Sequence, residues 1–464
     1  MLRKALTIAV CLGLPSLSYA EPWHILGPRA MGMGGAGVAL ADGGMAQYWN
    51  PAGLSEETTN SKWGLQVPVG VEATLTGGVL NDAKNLNNMA SQLQSVQNAQ
   101  KSGGAIDAAQ VGAFVQALPT IADLNQGGKG ALVEVSGGGS VKIGPFSFSL
   151  NSFSSLGASP YVDLTNIGLG SIGGASGTGV QFGAAPANCA LCNPSDTTQT
   201  QAIQTIANSV SPVLNGLNSL TGNKLAGWNA TNLADFLVNQ AISHGLTDAQ
   251  IQQAATQIAQ NIGAATPIIN AATSGNSYTN NTTNLTLRAA SFEELAMGYS
   301  HALPIPGLLV GGNIKIIEGL VGFDQYKVMN NGSNNDALSN LTSNIAKSVQ
   351  PGLDLGVLWK ADKLFPVLPF NPRLGIVGRN LNNPKFDQPA AAVANGDASR
   401  YAENGQIRMG VALSPTHFWN ITADMDLTNN LTPVDGYHSR LVGLGTEVNV
   451  FNRRWINIPL GRES

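Results

Sequence analysis

The sequence predicts an all-β transmembrane fold, an antiparallel outer-membrane β-barrel, and three observations carry the prediction. The chain opens on an export signal, it is poor in charge without any long apolar run, and its period-two segments are joined by alternately short and long links.

The signal reads MLRKALTIAVCLGLPSLSYA. Arg3 and Lys4 form a basic start, Ala5 to Leu14 an apolar run, and Ser18 and Ala20 the small positions of a cleavage site. A membrane-anchoring helix is the alternative, but Pro15 interrupts a run already shorter than the roughly 20 residues a span needs. Cys11 lies inside the apolar region after Val10, which argues against a lipoprotein anchor. Residues 1–20 are therefore expected to be removed after export, leaving a mature chain from Glu21.

Charged residues make up 11% of the 464, where a soluble globular protein carries about 25%. Hydrophobic residues are only 43%, and no later stretch is apolar for the roughly 18 residues that would suggest a membrane helix. Such a composition suits strands that alternate lipid-facing apolar residues with small polar lumen residues. A net charge of −4 gives no sign of a nucleic-acid partner.

Alternation is clearest after residue 350. Leu353, Leu355, Val357 and Trp359 share one face with Asp354 and Gly356 on the other; Ile407, Met409, Val411 and Leu413 alternate with Arg408, Gly410 and Ala412. Ile421, Ala423, Met425 and Leu427 alternate with Thr422, Asp424 and Asp426. In a soluble sandwich those charges face water; in a barrel they face the lumen. The links favour the barrel. Strands are expected near 61–77, 131–143, 146–156, 284–300, 308–323, 351–361, 372–380, 405–413, 418–428, 439–450 and from Trp455. Tight links fall at 144–145, 304–307, 414–417 and 452–454, with a longer one at 361–371, and long polar links lie between them.

Two long links carry helical sequence. In the first, about 81–125, Leu86, Met89, Leu93 and Val96 recur at i, i+3, i+7 and i+10; the second spans about 196–273, with Thr247 and Asp248 as a capping signal. Both are too polar to span a bilayer, and strand parity puts them outside the membrane on the extracellular side or folded over the pore.

The densest motif is Gly27 to Ser55. Gly32, Gly34 and Gly37 satisfy G-x-G-x-x-G, yet no strand precedes them, so the context of a dinucleotide site is absent. The plain reading is a small-residue segment that packs closely on other backbone. The run RAMGMGGAGVALADGGMAQYWNPAGLS resembles the N-terminal signature of the FadL-like outer-membrane barrels, a superfamily of fatty-acid and hydrocarbon channels, PorV-type secretion components and a barrel family named for conjugal transfer TraF. The Ala/Gln-rich insertions are most similar to the TraF branch. The resemblance implies that residues 21–60 form a hatch inside the lumen of a barrel spanning 61–464, with Gly32, Gly34, Gly35, Gly37, Asn50, Pro51 and Ala52 as hatch residues and Asn50 and Pro51 near the start of the wall.

Cys189 and Cys192 form a Cys-x-x-Cys in the second long link. A thioredoxin-like centre needs a helix starting at the first cysteine, whereas Asn188, Asn193 and Pro194 favour a turn. A small loop disulfide is the expectation, ahead of redox or metal chemistry. The His and carboxylates form no spaced catalytic or ligand set, so no cofactor, metal or enzymatic activity is expected. Trp359, Phe365, Phe370, Trp419, Phe451 and Trp455 lie near strand ends, as a girdle or as core.

The expected function is a passive FadL-type channel for hydrophobic small molecules in the cell outer membrane. The alternative is an envelope scaffold of a conjugation or secretion apparatus. Expected partners are outer-membrane lipid, the barrel assembly machinery, and a hydrophobic ligand or conjugation and secretion proteins. The C-terminus, an eleventh strand followed by Gly461 to Ser464, reads as an incomplete barrel, about three strands short of the roughly 14 of a FadL-type wall.

Overall fold

The computed structural model describes residues 23–56, 63–79, 105–106, 123–163, 181–182, 184–220, 225, 227–273, 282–327, 337–448 and 458–463. The signal segment 1–20, the Leu86 to Val96 repeat, the 452–454 link, Phe451 and Trp455 lie outside the described residues.

Twelve strands form one antiparallel sheet: β1 (Trp63–Gln66), β2 (Val69–Thr76), β3 (Gly130–Ile143), β4 (Phe146–Tyr161), β5 (Asn284–Ala302), β6 (Leu308–Lys327), β7 (Ile345–Lys360), β8 (Arg373–Arg379), β9 (Gln406–Thr416), β10 (Trp419–Asp426), β11 (Val442–Val448) and β12 (Ile458–Glu463). From β3 on, each strand pairs with the next in sequence, so the topology is an up-and-down meander curled into a half-barrel. Pairing is long and regular: β5 and β6 stay in register from Asn284↔Lys327 to Ala302↔Leu309.

The strand expected over 61–77 is divided. Val67 and Pro68 leave the ladder, and β1 and β2 both pair with β3 on either side of the break. Pro68 has no N–H to donate, and its carbonyl instead accepts from Gly138 at 3.1 Å. Strand β7 begins at Ile345, earlier than its alternation implies, and the turn after β9 shortens to His417 and Phe418. Strand β12 pairs with β11; among the described residues no ladder joins it to β1 or β2.

The distribution of side chains is the reverse of a soluble protein's. On β5, Glu294 is 2% exposed and its neighbour Leu295 56%; on β6, Lys315 is 4% exposed between Ile314 and Ile316, both 59%. The same holds for Asp354 against Leu353 and Leu355, and for Glu447 on β11 against Leu444. Leaving a large aliphatic side chain in water forfeits about 1.5–3 kcal/mol, so a belt of them across so many strands is a lipid-facing surface. No helix among the described residues is long and apolar enough to cross a membrane.

At the long-loop end the links fold over the sheet. The loop after β10 reaches β4 at the far side: Asp435 N–H donates to Ser159 Oγ at 3.2 Å, and Gly157 lies against Pro433. The second insertion is a separate three-helix unit, α3 (Thr197–Leu220), α4 (Ala230–Ser243) and α5 (Asp248–Thr273), around Ile206, Val210, Val213, Leu233, Val238 and Ile251. Thr247 caps α5 reciprocally: its N–H donates to Gln250 Oε1 at 2.9 Å, and the Gln250 N–H to Thr247 Oγ1 at 3.4 Å.

Candidate functional site

The concave face of the sheet is filled by residues 23–56. This plug carries two short helices, α1 (Pro28–Gly32) and α2 (Ala46–Trp49), and a 3-10 turn over Pro51–Ser55. Pro28 starts α1 at a position where its missing N–H costs nothing. Gly34 and Gly35 then reverse the chain at φ +61° and +78°, a region L side chains avoid. The turn aims the N–H groups of Gly37 and Val38 at one oxygen of Asp424 on β10, at 2.7 and 2.8 Å.

Asn50 is fully buried and serves plug and wall together. Its Oδ1 accepts from Ala52 N–H at 3.1 Å to cap the 3-10 turn, and its Nδ2 donates to the Val357 carbonyl of β7 at 3.0 Å. Pro51 can approach because the facing wall residues are Gly311 and Gly356: a Cβ on Gly356 would stand 2.2 Å from Asn50 Oδ1. Ala52 sits against Leu309 and Leu358, its carbonyl accepting from Ser300 Oγ at 2.9 Å.

Trp23, Tyr48 and Trp49 make the plug's aromatic core with Phe153 of β4. Trp49 Nε1 donates to the Leu26 carbonyl at 3.0 Å and Tyr48 Oη to the His24 carbonyl at 2.5 Å. Two wall arginines cover these rings. The Arg379 guanidinium lies 4.5 Å from the Tyr48 centroid and 5.2 Å from those of Trp23 and Phe153; Arg408 lies 4.9 Å from Trp23. Away from water each such contact is worth on the order of 2 kcal/mol.

Carboxylates balance the arginines from the wall. Arg408 pairs with Asp426 at 2.6 Å, Arg379 with Glu294 at 3.2 Å, and Lys315 bridges Glu294 and Asp354 at 3.0 and 3.1 Å. Ion pairs also fasten the plug at its edges. Arg29 reaches Glu447 of β11 and Asp42, and Glu56 receives Lys360 at 2.5 Å and Arg373 at 3.6 Å.

Beside β2 and β3 the filling is looser. A cavity of about 100 Å³ is lined by His24, Ile25, Gly70, Glu72, Glu134 and Ser136. Glu72 and Glu134 stand opposite each other in the ladder, and His24 Nδ1 lies 3.7 Å from Glu134 Oε1. Burial, helped by the Arg379 charge, lowers the His24 pKa to about 3, so its imidazole is neutral.

Gly32, Gly34, Gly35, Gly37, Asn50, Pro51 and Ala52, singled out in the sequence, thus lie together on the inner face of the sheet. Cys189 and Cys192 lie elsewhere: they are joined as a disulfide that packs on the core of the three-helix unit, with Leu191 N–H donating to Asn239 Oδ1 at 3.0 Å. Sequence reasoning missed the plug's own Trp23, His24 and Arg29 and the wall's Glu294, Lys315, Arg379 and Glu447. The available signal was parity, plain at Lys315 between Ile314 and Ile316, as at Asp354 and Asp424, but blurred at Glu294 by Glu293, at Arg379 by Gly378 and Asn380, and at Glu447 by Thr446.

The family described as "F plasmid transfer operon, TraF, protein" matches residues 47–426 of this sequence. Two solved structures are similar in outline. The toluene transporter TodX of Pseudomonas putida shares 10% identity at a TM-score of 0.33, over 94% of this chain and 91% of that one. A TodX monoaromatic hydrocarbon channel deltaS2 mutant gives the same identity and TM-score over 92% and 79%. No curated protein matches the sequence.

Proposed function

This chain belongs to the TraF protein family of the F plasmid transfer operon, and on that premise we propose that it is a non-catalytic outer-membrane component of a conjugal transfer apparatus, a barrel closed by its own plug. The observation that carries this reading is the filled lumen. Among the described residues the plug meets the wall through paired charges and hydrogen bonds, as at Arg29, Asn50, Glu56 and Asp424, beside the apolar contacts of Ala52 and of the aromatic core. A wall so occupied serves to place things: the three-helix unit at the long-loop end, outside the cell, and short hairpins at the periplasmic end.

The test removes residues 197–273 and joins the flanking loop with a short flexible linker. Retained heat-modifiable mobility with loss of plasmid transfer supports the scaffold. Full transfer together with lost uptake of hydrophobic small molecules contradicts it.

A second reading, a passive channel for hydrophobic small molecules, is favoured by one feature, the aromatic cluster of Trp23, Tyr48, Trp49 and Phe153 inside the lumen. On this reading the plug shifts and apolar solutes pass over those rings. Solute-induced conductance in planar bilayers, lost in Tyr48→Ala, would support it.

A further inference from the structure

The link between β7 and β8 is long for the short-turn end, and it is apolar. Its sequence, ADKLFPVLPFNP, exposes Leu364, Phe365, Val367, Leu368 and Phe370, with Val367 at 89%. A hairpin link in water is normally polar, so this one calls for a partner surface.

The backbone of the link is fixed. A 3-10 turn over Ala361–Lys363 starts it, Phe365 N–H donates to the Ala361 carbonyl at 2.9 Å, and Ala361 N–H donates to the Pro372 carbonyl at 3.0 Å. Phe370 and Asn371 hold φ of +67° and +44°, a conformation that a bulky aromatic adopts only under constraint. The constraint comes from the next hairpin: Ser414 N–H donates to the Phe370 carbonyl at 2.6 Å, and Asn371 Nδ2 donates to the Ser414 carbonyl at 3.3 Å. The link is a braced platform that keeps its apolar side chains turned outward.

Its direction identifies the partner. On β7, Leu353, Leu355 and Val357 point to the lipid side, and alternation puts Trp359 on that side too. The Phe365 ring packs edge-on against Trp359, 6.2 Å between centroids, so the link folds toward the outer face of the wall and not beneath the lumen. Its apolar surface then continues the belt formed by Leu355, Val357, Leu374 and Ile376. Lys363, with a side chain 59% exposed and its Nζ 3.7 Å from Asp362 Oδ2, supplies a cation at the rim of this surface.

We propose that residues 364–370 are a membrane anchor, inserted into the headgroup and upper acyl region of the periplasmic leaflet, with Lys363 meeting lipid phosphate. The proposal rests on the outer-membrane reading and not on whether the protein is a scaffold or a channel. The anchored hairpin also supplies Lys360 and Arg373, the two cations that hold Glu56 at the end of the plug. The anchor therefore fixes the position of the plug's last ionic contact.

The experiment places a nitroxide label on Val367→Cys in the full-length protein, reconstituted in vesicles of phosphatidylethanolamine and phosphatidylglycerol. Collision with oxygen, which concentrates in lipid, is compared with collision with a water-soluble nickel chelate. Leu355→Cys is the lipid control and Thr256→Cys, on α5, the water control; all three positions are at the surface. The expected result is an oxygen-to-nickel ratio at Val367 near that of Leu355. A ratio matching Thr256 would overturn the proposal, and so would protection from both reagents, which would mean a protein contact.

Discussion

Arg29 and Glu447, 418 residues apart in sequence, meet in a two-pronged ion pair of 3.0 and 2.9 Å that joins the start of the plug to β11. Glu447 is 1% exposed. Removing its charge leaves the guanidinium with Asp42 and the Leu40 carbonyl. Breaking a fully buried pair costs about 3–5 kcal/mol, and because the Arg29 side chain is 31% exposed the expected cost is nearer 2 kcal/mol. Glu447→Gln should speed hydrogen exchange at the Gly37 and Val38 amides while the wall strands keep their protection. Arg29→Glu combined with Glu447→Arg should recover part of the loss; no recovery would mean that the pair does not hold the plug.

His24 gives the plug a pH dependence. In a displaced plug its imidazole has an ordinary pKa of 6.5; seated, burial and Arg379 bring it to about 3. The displaced form therefore takes up the proton more readily, and seating is at full strength above pH 6.5. As pH falls from 6.5 toward 3, seating should weaken by about 1.4 kcal/mol per unit from this group. Protease accessibility of the plug, measured from pH 7.5 to 4.5, should rise over that window, and His24→Gln should flatten the rise. An unchanged profile in the variant would assign the effect to other groups.

A close backbone approach inside the plug makes a steric prediction. A Cβ on Gly53 would stand 2.2 Å from the Ala41 carbonyl oxygen, whereas one on Gly64 of β1 meets nothing within 4 Å. Gly53→Ala should unseat the 3-10 turn and lower the thermal transition of the plug, and Gly64→Ala should leave it unchanged. Equal behaviour of the two would count against the packing described for Asn50 to Ala52.

Cys189 and Cys192 close a loop of only a few residues, so their bond restricts the unfolded chain little, but both pack on the three-helix core. Their joint replacement by Ala should leave heat-modifiable mobility of the barrel intact and raise proteolysis within residues 197–273. Loss of barrel assembly would show that the unit folds with the wall and not beside it.

Much of the wall was legible because a strand in lipid reports its two faces at period two. The parity that put Leu353, Leu355 and Val357 on one face and Asp354 on the other is the parity of the structure. Alternation could not reveal the ion-pair partners, since Arg29 and Glu447 lie at opposite ends of the chain and a period-two pattern tells which face a residue takes but not what it meets there. Nor could it show the gap at Val67 and Pro68, where a missing N–H interrupts a ladder whose apolar pattern continues. The glycine run from Gly32 to Gly37 was legible as a close-packing segment, but what it packs on, the Asp424 carboxylate and the wall glycines, comes only from the fold.

The central claim is that residues 23–56 occupy the lumen, and a crosslink tests it most directly. Ser55 N–H at the end of the plug donates to Ser300 Oγ of β5 at 2.9 Å, so cysteines at these two positions stand close enough to pair. In intact outer membranes, Ser55→Cys with Ser300→Cys should oxidise to an intramolecular disulfide. Failure of that bond to form under oxidant, with both thiols reacting with a water-soluble maleimide, would place the segment outside the barrel and contradict the account.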